Sequence, residues 1–374
     1  MEFNSFLIIR SSRRFFQRWI TFKNKISWNP FFRLIRIFLA AAICFVVLWL
    51  LLKSNNVPLP KLQELPQIFI NKTFDRNGRN LTDFTLAFSN VQKHYKMEKP
   101  RINPCLGKQI ELVVLVISRR ELVHRRMGIR NSWAKDASKK MIIRYVIGGP
   151  SEGEENSEKL DKILDEEQEQ FGDLIRYYNI MEGYHFLQFK TGVAFQWQQK
   201  WCPNAEYVMK IDDDTMIDLP RWAFWNENKF KKQLNKTKTG LAFFGYLIDE
   251  SPTIRDKNDK WYVSEKELPN EMYPEYMHGS TYFGNSKAIT SLMKHTKEVF
   301  AIHIEDALYT GILAEKGNVS RYDHADKHFR NGNLDKDEPC KLGKPQIFCL
   351  YQRTFSSVAE YKKEYEKLHN LKCE

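Results

Sequence analysis

A basic run with interleaved aromatic residues, the signature of a nucleic-acid-binding surface, is missing from the chain beyond residue 36. The formal net charge is +12 over 374 residues, but residues 1–36 contribute +7 of this charge and all the others together +5. A balance this close to neutral leaves no electrostatic footprint for DNA or RNA. The sequence therefore predicts no nucleic-acid partner.

Acidic residues are also scarce at the N-terminus, where Glu2 stands against eight lysines and arginines before residue 37. An uncharged apolar run follows at residues 37–52 and, counted from near residue 31, is long enough to cross a bilayer. Basic residues hold that flank in the cytoplasm. A cleaved signal peptide is the alternative, but it has a shorter basic region and apolar core. We expect a single-span type II membrane protein with a cytoplasmic tail (1–36), a transmembrane signal anchor (37–52) and a lumenal C-terminus.

Cysteine is infrequent, with six residues in the chain, and five of them follow the apolar run. Because five is odd, at least one thiol stays free or pairs with another chain in an oxidising compartment. Cys340 and Cys349, nine residues apart, are the first pair to test. Four Asn-x-Ser/Thr sequons support a lumenal location and predict N-glycosylation at Asn71, Asn80, Asn235 and Asn318.

Prolines and polar residues are frequent in residues 53–105, as expected of a lumenal stem that holds a folded domain away from the membrane. Several phenylalanines and leucines between residues 69 and 88 are too apolar for a purely disordered linker. We therefore expect the later part of the stem to pack on the domain. The remaining residues, 106–374, suit one large domain.

Apolar β-branched runs alternate with helical patterns along this domain. The first run, at residues 110–117, is continuous, which is typical of a strand buried on both faces of a sheet. The alternation predicts an α/β fold, with strands at residues 110–117, 141–147, 174–178 and 207–211 and helices at 152–171 and 185–200.

Three consecutive aspartates, Asp212, Asp213 and Asp214, come directly after the fourth predicted strand. Like charges this close repel one another unless a cation shares them, and hard carboxylate oxygens suit a divalent metal. Ligands of open parallel sheets bind outside the carboxyl ends of the strands. A solvated acidic turn is the alternative, whereas an EF-hand loop is excluded because Ile217 and Ala223 occupy its glycine and glutamate positions. The triplet therefore predicts a metal site.

Six segments keep the order and spacing of one family's motifs across residues 110–317. They are residues 126–133 (RMGIRNSW), 184–191 (YHFLQFKT), 202–207 (CPNAEY), 210–214 (KIDDD), 273–279 (YPEYMHG) and 305–307 (EDA). Together they resemble the Arg-x-x-Ile-Arg-x-Thr-Trp, Asp-x-Asp, Tyr-Pro-x-Tyr and Glu-Asp-Val motifs, among others, of the β-1,3-galactosyltransferase-like Golgi glycosyltransferases. These are hexosyltransferases of the glycosyltransferase family 31 type.

This resemblance implies a GT-A fold, a Rossmann-like mixed sheet flanked by helices, in a protein anchored in the Golgi membrane. It also implies an inverting enzyme that uses Mn²⁺ or another divalent cation. The implied reaction transfers galactose or an N-acetylhexosamine from a UDP-sugar to a hydroxyl of a glycoprotein or glycolipid acceptor, in β-1,3 linkage.

The resemblance also assigns roles on the donor side of the site. It implies that Asp214, with Asp212 nearby, holds the metal against the donor phosphates, since a metal neutralises the charge of a departing diphosphate. Asp213 is assigned to the donor sugar or to structural hydrogen bonds. Three cations match family positions and are implied donor contacts, with fold-stabilising ion pairs as the alternative: Arg126, Arg130 and Lys190.

On the acceptor side, inversion by direct displacement needs a base to take the proton of the attacking hydroxyl. The Glu-Asp-Val resemblance implies that Asp306 is this base, with Glu305 as the second choice. The alternative is that both acids cap a predicted helix at residues 307–315. Tyr276 and His278 are expected to contact a donor or acceptor sugar, because sugar rings stack their apolar faces on aromatic ones.

Three departures from the family pattern limit what the resemblance implies. Apolar Met277 and Leu313 replace two family cysteines, and the segment from His278 to Thr281 replaces a glycine-rich run. The family's C-terminal histidine is also missing from residues 349–355, where Tyr351 is the matching residue. Two other histidines, His324 and His328, are candidate substitute ligands because neutral imidazole suits manganese, with a structural role as the alternative.

The missing histidine motivates a second hypothesis from a different functional class. In this hypothesis the protein is a catalytically silent lumenal relative that binds glycans or partners an active transferase. The sequence leaves the donor sugar and the acceptor open.

Overall fold

The computed structural model describes residues 97–373, apart from residues 152, 326, 335–337 and 352–354 and the side chain of Asn179. The predicted tail, signal anchor, most of the stem, and the sequons at Asn71 and Asn80 lie outside these residues. Within the described residues, no helix combines the length and the apolar character that crossing a membrane requires.

Strands and helices alternate along the first half of the domain, as the sequence predicts. The strands in the described residues are β1 (Leu112–Ile117), β2 (Met141–Gly149), β3 (Leu174–Met181), β4 (Tyr207–Asp212), β5 (Met216–Ile217), β6 (Ala242–Ile248), β7 (Tyr276–Asn285), β8 (Ser320–Asp323), β9 (Phe329–Asn331), β10 (Cys340–Lys341), β11 (Lys344–Pro345) and β12 (Cys349–Tyr351). The α-helices are α1 (Val123–Arg130), α2 (Ser157–Phe171), α3 (Leu187–Trp201), α4 (Leu219–Trp225), α5 (Lys231–Lys236), α6 (Ser286–Met293), α7 (Leu313–Lys316) and α8 (Val358–His369). Two π-helical turns lie at Asn226–Phe230 and Ala307–Ile312.

A seven-stranded mixed sheet forms the centre of the domain, in the order β3-β2-β1-β4-β7-β6-β8. The strands β3, β2, β1 and β4 run parallel, whereas β7 runs antiparallel to both β4 and β6. Every residue of β1 is buried, and neighbouring residues such as Val113 and Val114 belong to two separate hydrophobic clusters. Because side chains alternate across a strand, the sheet is packed on both faces. The predicted α/β class and doubly buried first strand are confirmed.

Most predicted elements are confirmed with small shifts at their ends. The predicted helix at 152–171 begins at Ser157, after Asn156, whose φ of 60° lies in the left-handed region. The predicted helix at 185–200 consists of a 3₁₀ turn, Tyr184–Phe186, followed by α3. Met97 forms a β-bridge with Tyr177 of β3, so the described end of the predicted stem contacts the domain.

A second, three-stranded sheet in the order β5-β12-β9 lies beside the aspartate triplet. Its first strand, β5, starts two residues after Asp214. Helix α8 follows this sheet and packs on α1, where a Cβ at Gly128 would lie 2.2 Å from the ring of Tyr361. Glycine at this position therefore allows the C-terminal helix to approach the helix that carries Arg125 and Arg126.

The cysteine pairing differs from the sequence prediction. Cys105 is bonded to Cys202 and Cys340 to Cys373, which leaves Cys349 as a free, buried thiol among the described residues. The prediction of one free thiol is confirmed, but the predicted Cys340–Cys349 pair is wrong. Cys349 lies on the buried strand β12, while Cys340 lies on the exposed β10–β11 hairpin near the C-terminus.

Candidate active site

The three aspartates lie at the carboxyl end of β4, in the centre of the large sheet. Asp212 is in register with Ile117, the last residue of β1, and the backbone N–H of Asp213 donates to the Ile117 carbonyl oxygen at 3.2 Å. On the other side, the Thr215 hydroxyl donates to the backbone oxygen of Ser280 at 3.3 Å. We call Asp212, Asp213 and Asp214 the acidic triplet. Its predicted place at a strand end is confirmed.

Arg125 neutralises part of the acidic triplet from helix α1. Its guanidinium lies 2.8 Å from Asp213 Oδ1 and 3.3 Å from Asp214 Oδ2. Burial lowers the pKa of Arg125, but the hydrogen bond and charge of Asp213 outweigh this effect and leave the pKa raised. The Tyr361 hydroxyl of α8 donates to the backbone oxygen of Asp213. Two helices from opposite ends of the domain therefore fix the middle of the triplet.

Lys210 is a buried cation that joins the triplet to a second acidic group. Its ammonium lies 2.7 Å from Asp212 Oδ1 and 2.9 Å from Glu305 Oε1, and it donates to the backbone oxygen of Gly279. Burial lowers the pKa of Lys210, but the charges of Asp212 and Glu305 outweigh it, so the pKa stays above its ordinary value. One ammonium therefore shares its charge between carboxylates from two parts of the chain.

The second acidic group is the acidic pair, which we define as Glu305 and Asp306. Glu305 is buried and accepts a hydrogen bond from the Tyr282 hydroxyl at 3.3 Å. Asp306 Oδ1 accepts from the Ala307 backbone N–H at 2.9 Å, so Asp306 caps the π-helical turn. Burial and then the charge of Glu305 raise the pKa of Asp306 to about 7. The capping alternative describes Asp306 but not Glu305, which pairs with the buried ammonium instead.

The carboxylate of Asp306 lies close to the backbone of Gly279, which has no side chain. A Cβ at Gly279 would lie 2.7 Å from Asp306 Oδ2, a separation at which something must shift. The second carboxylate oxygen of Asp306 therefore lies against bare backbone rather than in the cap. Because Oδ1 makes the capping hydrogen bond, Oδ2 can accept a proton without breaking that bond.

The three cations that match family positions are all engaged within the fold. Arg126 is fully buried and binds Glu167 with distances of 2.8 and 2.7 Å. Arg130 pairs with Asp173 at 2.7 Å and Glu167 at 2.8 Å. The ion-pair alternative therefore describes both arginines, and neither guanidinium contacts the triplet.

Lys190 is the third of these cations, and it binds inside the domain. Its ammonium lies 2.8 Å from both carboxylate oxygens of Glu182 and 2.6 Å from the Ser118 carbonyl oxygen. The arginine that does reach the triplet, Arg125, was missed because adjacent residues lie about 100° apart on a helix. The sequence does not show which one faces the strand end.

Tyr276 and His278, the residues predicted to contact a sugar, lie in two different environments. Tyr276 is buried, and its hydroxyl shares a hydrogen bond with Ser251 at 3.2 Å. The His278 ring packs between Tyr246, at 5.8 Å between centroids, and Tyr351, at 4.6 Å. Burial and then the charge of Lys210 lower the pKa of His278 to about 4, so the imidazole is neutral at pH 7.

The two candidate substitute histidines make structural contacts within the domain. His324 and His328 pack against the ring of Phe230, and burial lowers their pKa values to about 2 and about 3. Nε2 of His324 is 3.0 Å from Gln233 Oε1, while Nδ1 of His328 donates to the Gln346 carbonyl oxygen at 2.7 Å. These bonds hold both imidazoles in an aromatic cluster. The structural alternative therefore describes both histidines, and metal binding by either one stays a prediction.

The charge and the exposure of the acidic triplet suit a cation that binds together with a ligand. Burial raises the pKa of Asp212 to about 7, with Lys210 opposing and Asp214 adding to the shift. Burial and then Asp213 raise the pKa of Asp214 as well. Both carboxylates are about one-third exposed, so further positive charge can reach them.

Within the described part of the chain, no three His, Cys, Asp or Glu side chains converge on a point where a metal ion could be held. The triplet offers carboxylate oxygens at a partly exposed position, and such oxygens are the ligands that hard divalent cations prefer.

Known proteins resemble the region that contains both acidic groups. A family model described as galactosyltransferase matches residues 124–325. The human beta-1,3-galactosyltransferase 5 is 29% identical over 228 residues, which are 60% of this chain and 69% of that protein. A rat lactosylceramide 1,3-N-acetyl-beta-D-glucosaminyltransferase is 24% identical over 84% of this chain and 80% of its own length.

Two further similarities complete the comparison. A UDP-GalNAc:beta-1,3-N-acetylgalactosaminyltransferase 1 from Mus spicilegus is 30% identical over 56% of this chain and 60% of its own length. Among solved structures, the galactosyltransferase LgtC with donor and acceptor sugar analogs gives a TM-score of 0.36 at 9% identity, over 69% of this chain and 97% of that one. So loose a structural likeness adds nothing to the assignment. The family model, however, spans more than half of the chain and includes the acidic triplet and the acidic pair, and the chain therefore belongs to the galactosyltransferase family of glycosyltransferase enzymes.

Proposed function

We propose that this enzyme is an inverting hexosyltransferase, which transfers galactose or an N-acetylhexosamine from a UDP-sugar to a glycan hydroxyl in β-1,3 linkage. The observation that carries the proposal is the buried Lys210 ammonium, which holds the acidic triplet and the acidic pair on either side of one strand end. The names of the three relatives share the 1,3 linkage but give three different sugars. They support the linkage and leave the donor sugar open.

The acidic triplet is proposed to bind the donor, in a GT-A fold. Asp214 and Asp212 would hold Mn²⁺ or another divalent cation, which when bound neutralises the charge of the departing diphosphate. Asp213 orients Arg125, whose guanidinium lies next to these carboxylates and is a ready partner for phosphate oxygens. In this proposal Arg125 replaces Arg126, Arg130 and Lys190 as the donor-phosphate contact.

The acidic pair is proposed to activate the acceptor. Asp306 takes the proton of the acceptor hydroxyl as its oxygen bonds to the anomeric carbon and the bond from that carbon to the UDP oxygen breaks. The raised pKa makes this carboxylate a stronger base than an ordinary aspartate. Glu305 keeps Lys210 in place and raises the basicity of its neighbour.

The cellular setting proposed is the Golgi membrane, with a single type II span, a stem at 53–105 and the catalytic domain at 106–374 in the lumen. The two disulfides support an oxidising compartment. The sequons at Asn235 and Asn318 support it as well, because both asparagines are exposed. Glycoproteins or glycolipids are the proposed acceptors.

The test is release of UDP by the full chain in detergent, with Mn²⁺, each of three UDP-sugars and a mixed panel of sugar acceptors. We expect Asp214→Ala to weaken metal-dependent donor binding by about 100-fold, because it removes a metal ligand. The exposed loop variant Asp256→Ala is the control and should bind donor normally.

Absence of UDP-sugar binding by the unmodified chain would refute the proposal. Donor binding without transfer to any acceptor would instead favour the silent glycan-binding relative. Equal donor binding by the Asp214 and Asp256 variants would refute the role of the triplet.

A further inference from the structure

Two large aromatic rings are exposed side by side, outside the residues assigned so far. Tyr184 is 39% exposed and Trp261 is 49% exposed. The indole N–H of Trp261 hydrogen-bonds to the Tyr184 hydroxyl. Tyr184 begins the 3₁₀ turn before α3, whereas Trp261 belongs to the loop between β6 and β7, so the fold brings the rings together from separate segments.

A buried histidine, His303, contacts both of these segments. Its ring lies 4.8 Å from that of His185 and 6.1 Å from that of Tyr184, between centroids. Its Nε2 lies 3.2 Å from the backbone oxygen of Lys260, next to Trp261. The ammonium of Lys260 in turn lies 5.1 Å from the centre of the Tyr184 ring and 4.8 Å from that of Trp261. The two exposed rings are therefore fixed in place rather than loose on the surface.

The segments that carry these rings are connected to the acidic pair. His303 is two residues before Glu305, and the hydroxyl of Tyr309, three residues after Asp306, donates to the Gln188 carbonyl oxygen at the start of α3 at 2.7 Å. The phenol of Tyr184 is close enough for the charge of Asp306 to raise its pKa, second only to the effect of burial.

A third exposed aromatic ring, that of Tyr178, lies in a different environment. Tyr178 is 46% exposed on β3 and lies under the guanidinium of Arg176, at 5.4 Å. Its hydroxyl donates to Glu98 at 3.5 Å, and the charges that affect its pKa come from Arg176, Glu98, Asp165 and Asp161. Exposed single rings are normal on protein surfaces. Tyr178 therefore provides a matched control for the Tyr184–Trp261 pair.

We propose that Tyr184 and Trp261 form the platform on which the acceptor sugar stacks its apolar face, with the hydroxyl to be glycosylated directed at Asp306. The inference rests on the proposed function and deepens it by naming the acceptor subsite. The platform replaces Tyr276 as the aromatic contact, because Tyr276 is buried in the core. Aromatic rings suit this task because they offer large apolar area with few rotatable bonds.

The experiment compares Trp261→Ala, Tyr184→Ala, Tyr184→Phe and Tyr178→Ala in the full chain, with methyl β-glycosides of galactose, N-acetylglucosamine and N-acetylgalactosamine as acceptors. We expect each alanine variant of the platform to raise the acceptor KM about tenfold while the KM for the UDP-sugar changes less than twofold. Tyr184→Phe keeps the ring and should raise the acceptor KM by less than threefold, an order-of-magnitude expectation from retained stacking area. Tyr178→Ala should match the unmodified chain.

An unchanged acceptor KM in both alanine variants overturns the platform, and so does an equal rise in the donor KM. If the unmodified chain binds UDP-sugar but transfers to no acceptor, the proposed function fails separately. The platform is then tested by direct binding of the same glycosides, measured by isothermal titration calorimetry. Loss of binding in Trp261→Ala relative to Tyr178→Ala supports it, and equal binding or no binding by the unmodified chain overturns it.

Discussion

The acidic triplet and the acidic pair are both crowded carboxylates, but the protein compensates their charge differently. The triplet receives cations from two elements, Arg125 on α1 and Lys210 on β4, and two of its carboxylates remain about one-third exposed. In the pair, Glu305 shares the Lys210 ammonium, whereas Asp306 accepts a backbone N–H in place of a cation. The difference suits the triplet to gain further positive charge from a ligand and the pair to gain a proton.

The largest effect is expected from Lys210→Met, which removes the cation that both groups share. Two buried or half-buried carboxylates would lose their partner, and breaking a buried ion pair in this way lowers the free energy of unfolding by about 3–5 kcal/mol. Urea unfolding measures the effect. The control is Lys367→Met, because the Lys367 side chain is 54% exposed in its pair with Glu364 and should contribute about 1 kcal/mol or less. Equal losses in the two variants would show that Lys210 does not support either acidic group.

Asp306→Asn separates the two groups functionally. Removing a general base is expected to lower kcat by about 10²–10⁴-fold, while the KM for the UDP-sugar stays close to that of the unmodified chain because the triplet is intact. Steady-state kinetics with varied donor measures both constants. Transfer at the unmodified rate would show that Asp306 is a helix cap and nothing more.

The pair should also set the pH dependence of transfer. The pKa of Asp306 is raised to about 7, so the carboxyl becomes protonated as the pH falls through 7 and loses its ability to accept the acceptor proton. We expect kcat/KM to fall about tenfold per pH unit below that point, because this ratio reports the ionisation of the free enzyme. Burial and then Glu305 raise the midpoint, whereas the Ala307 N–H and Lys210 lower it. A midpoint near pH 4 would show that the base has the pKa of an ordinary carboxyl and would contradict the assignment to Asp306.

The smallest effect is expected from Arg125→Ala. One charge-assisted partner proposed for the donor phosphates would be lost while the carboxylates proposed to hold the metal remain, so the donor KM should rise about tenfold. Arg119→Ala is the control, since Arg119 is largely exposed and pairs with Glu121. If Arg125→Ala leaves the donor KM unchanged, the cation serves Asp213 alone and the donor is bound elsewhere.

Elements with a strong hydrophobic pattern were predictable from the sequence. Burial on both faces gives β1 a continuous apolar run, and the fourth predicted strand, 207–211, differs from β4 by one residue. The position of the triplet followed, because charge directly after a buried strand must lie at its end. The start of α2 was less predictable, since it depends on one left-handed residue, Asn156.

The contacts within the site were beyond the reach of sequence patterns. Lys210 lies in the interior of an apolar strand and meets Glu305, 95 positions further along the chain. Helix α1 directs Arg125 to the triplet and Arg126 to Glu167, and it packs against the distant helix α8. Each contact joins segments that are far apart in the chain, and no local periodicity records them.

The hydrogen bond from the Tyr361 hydroxyl of α8 to the backbone oxygen of Asp213 joins residues 148 positions apart. The acidic triplet is therefore held by a helix that follows both acidic groups in the chain. A growing chain that already contains both groups still lacks this helix, so the triplet reaches its final arrangement only after α8 has been synthesised. A truncation that removes α8 should therefore disturb the triplet while both carboxylate groups remain in the sequence.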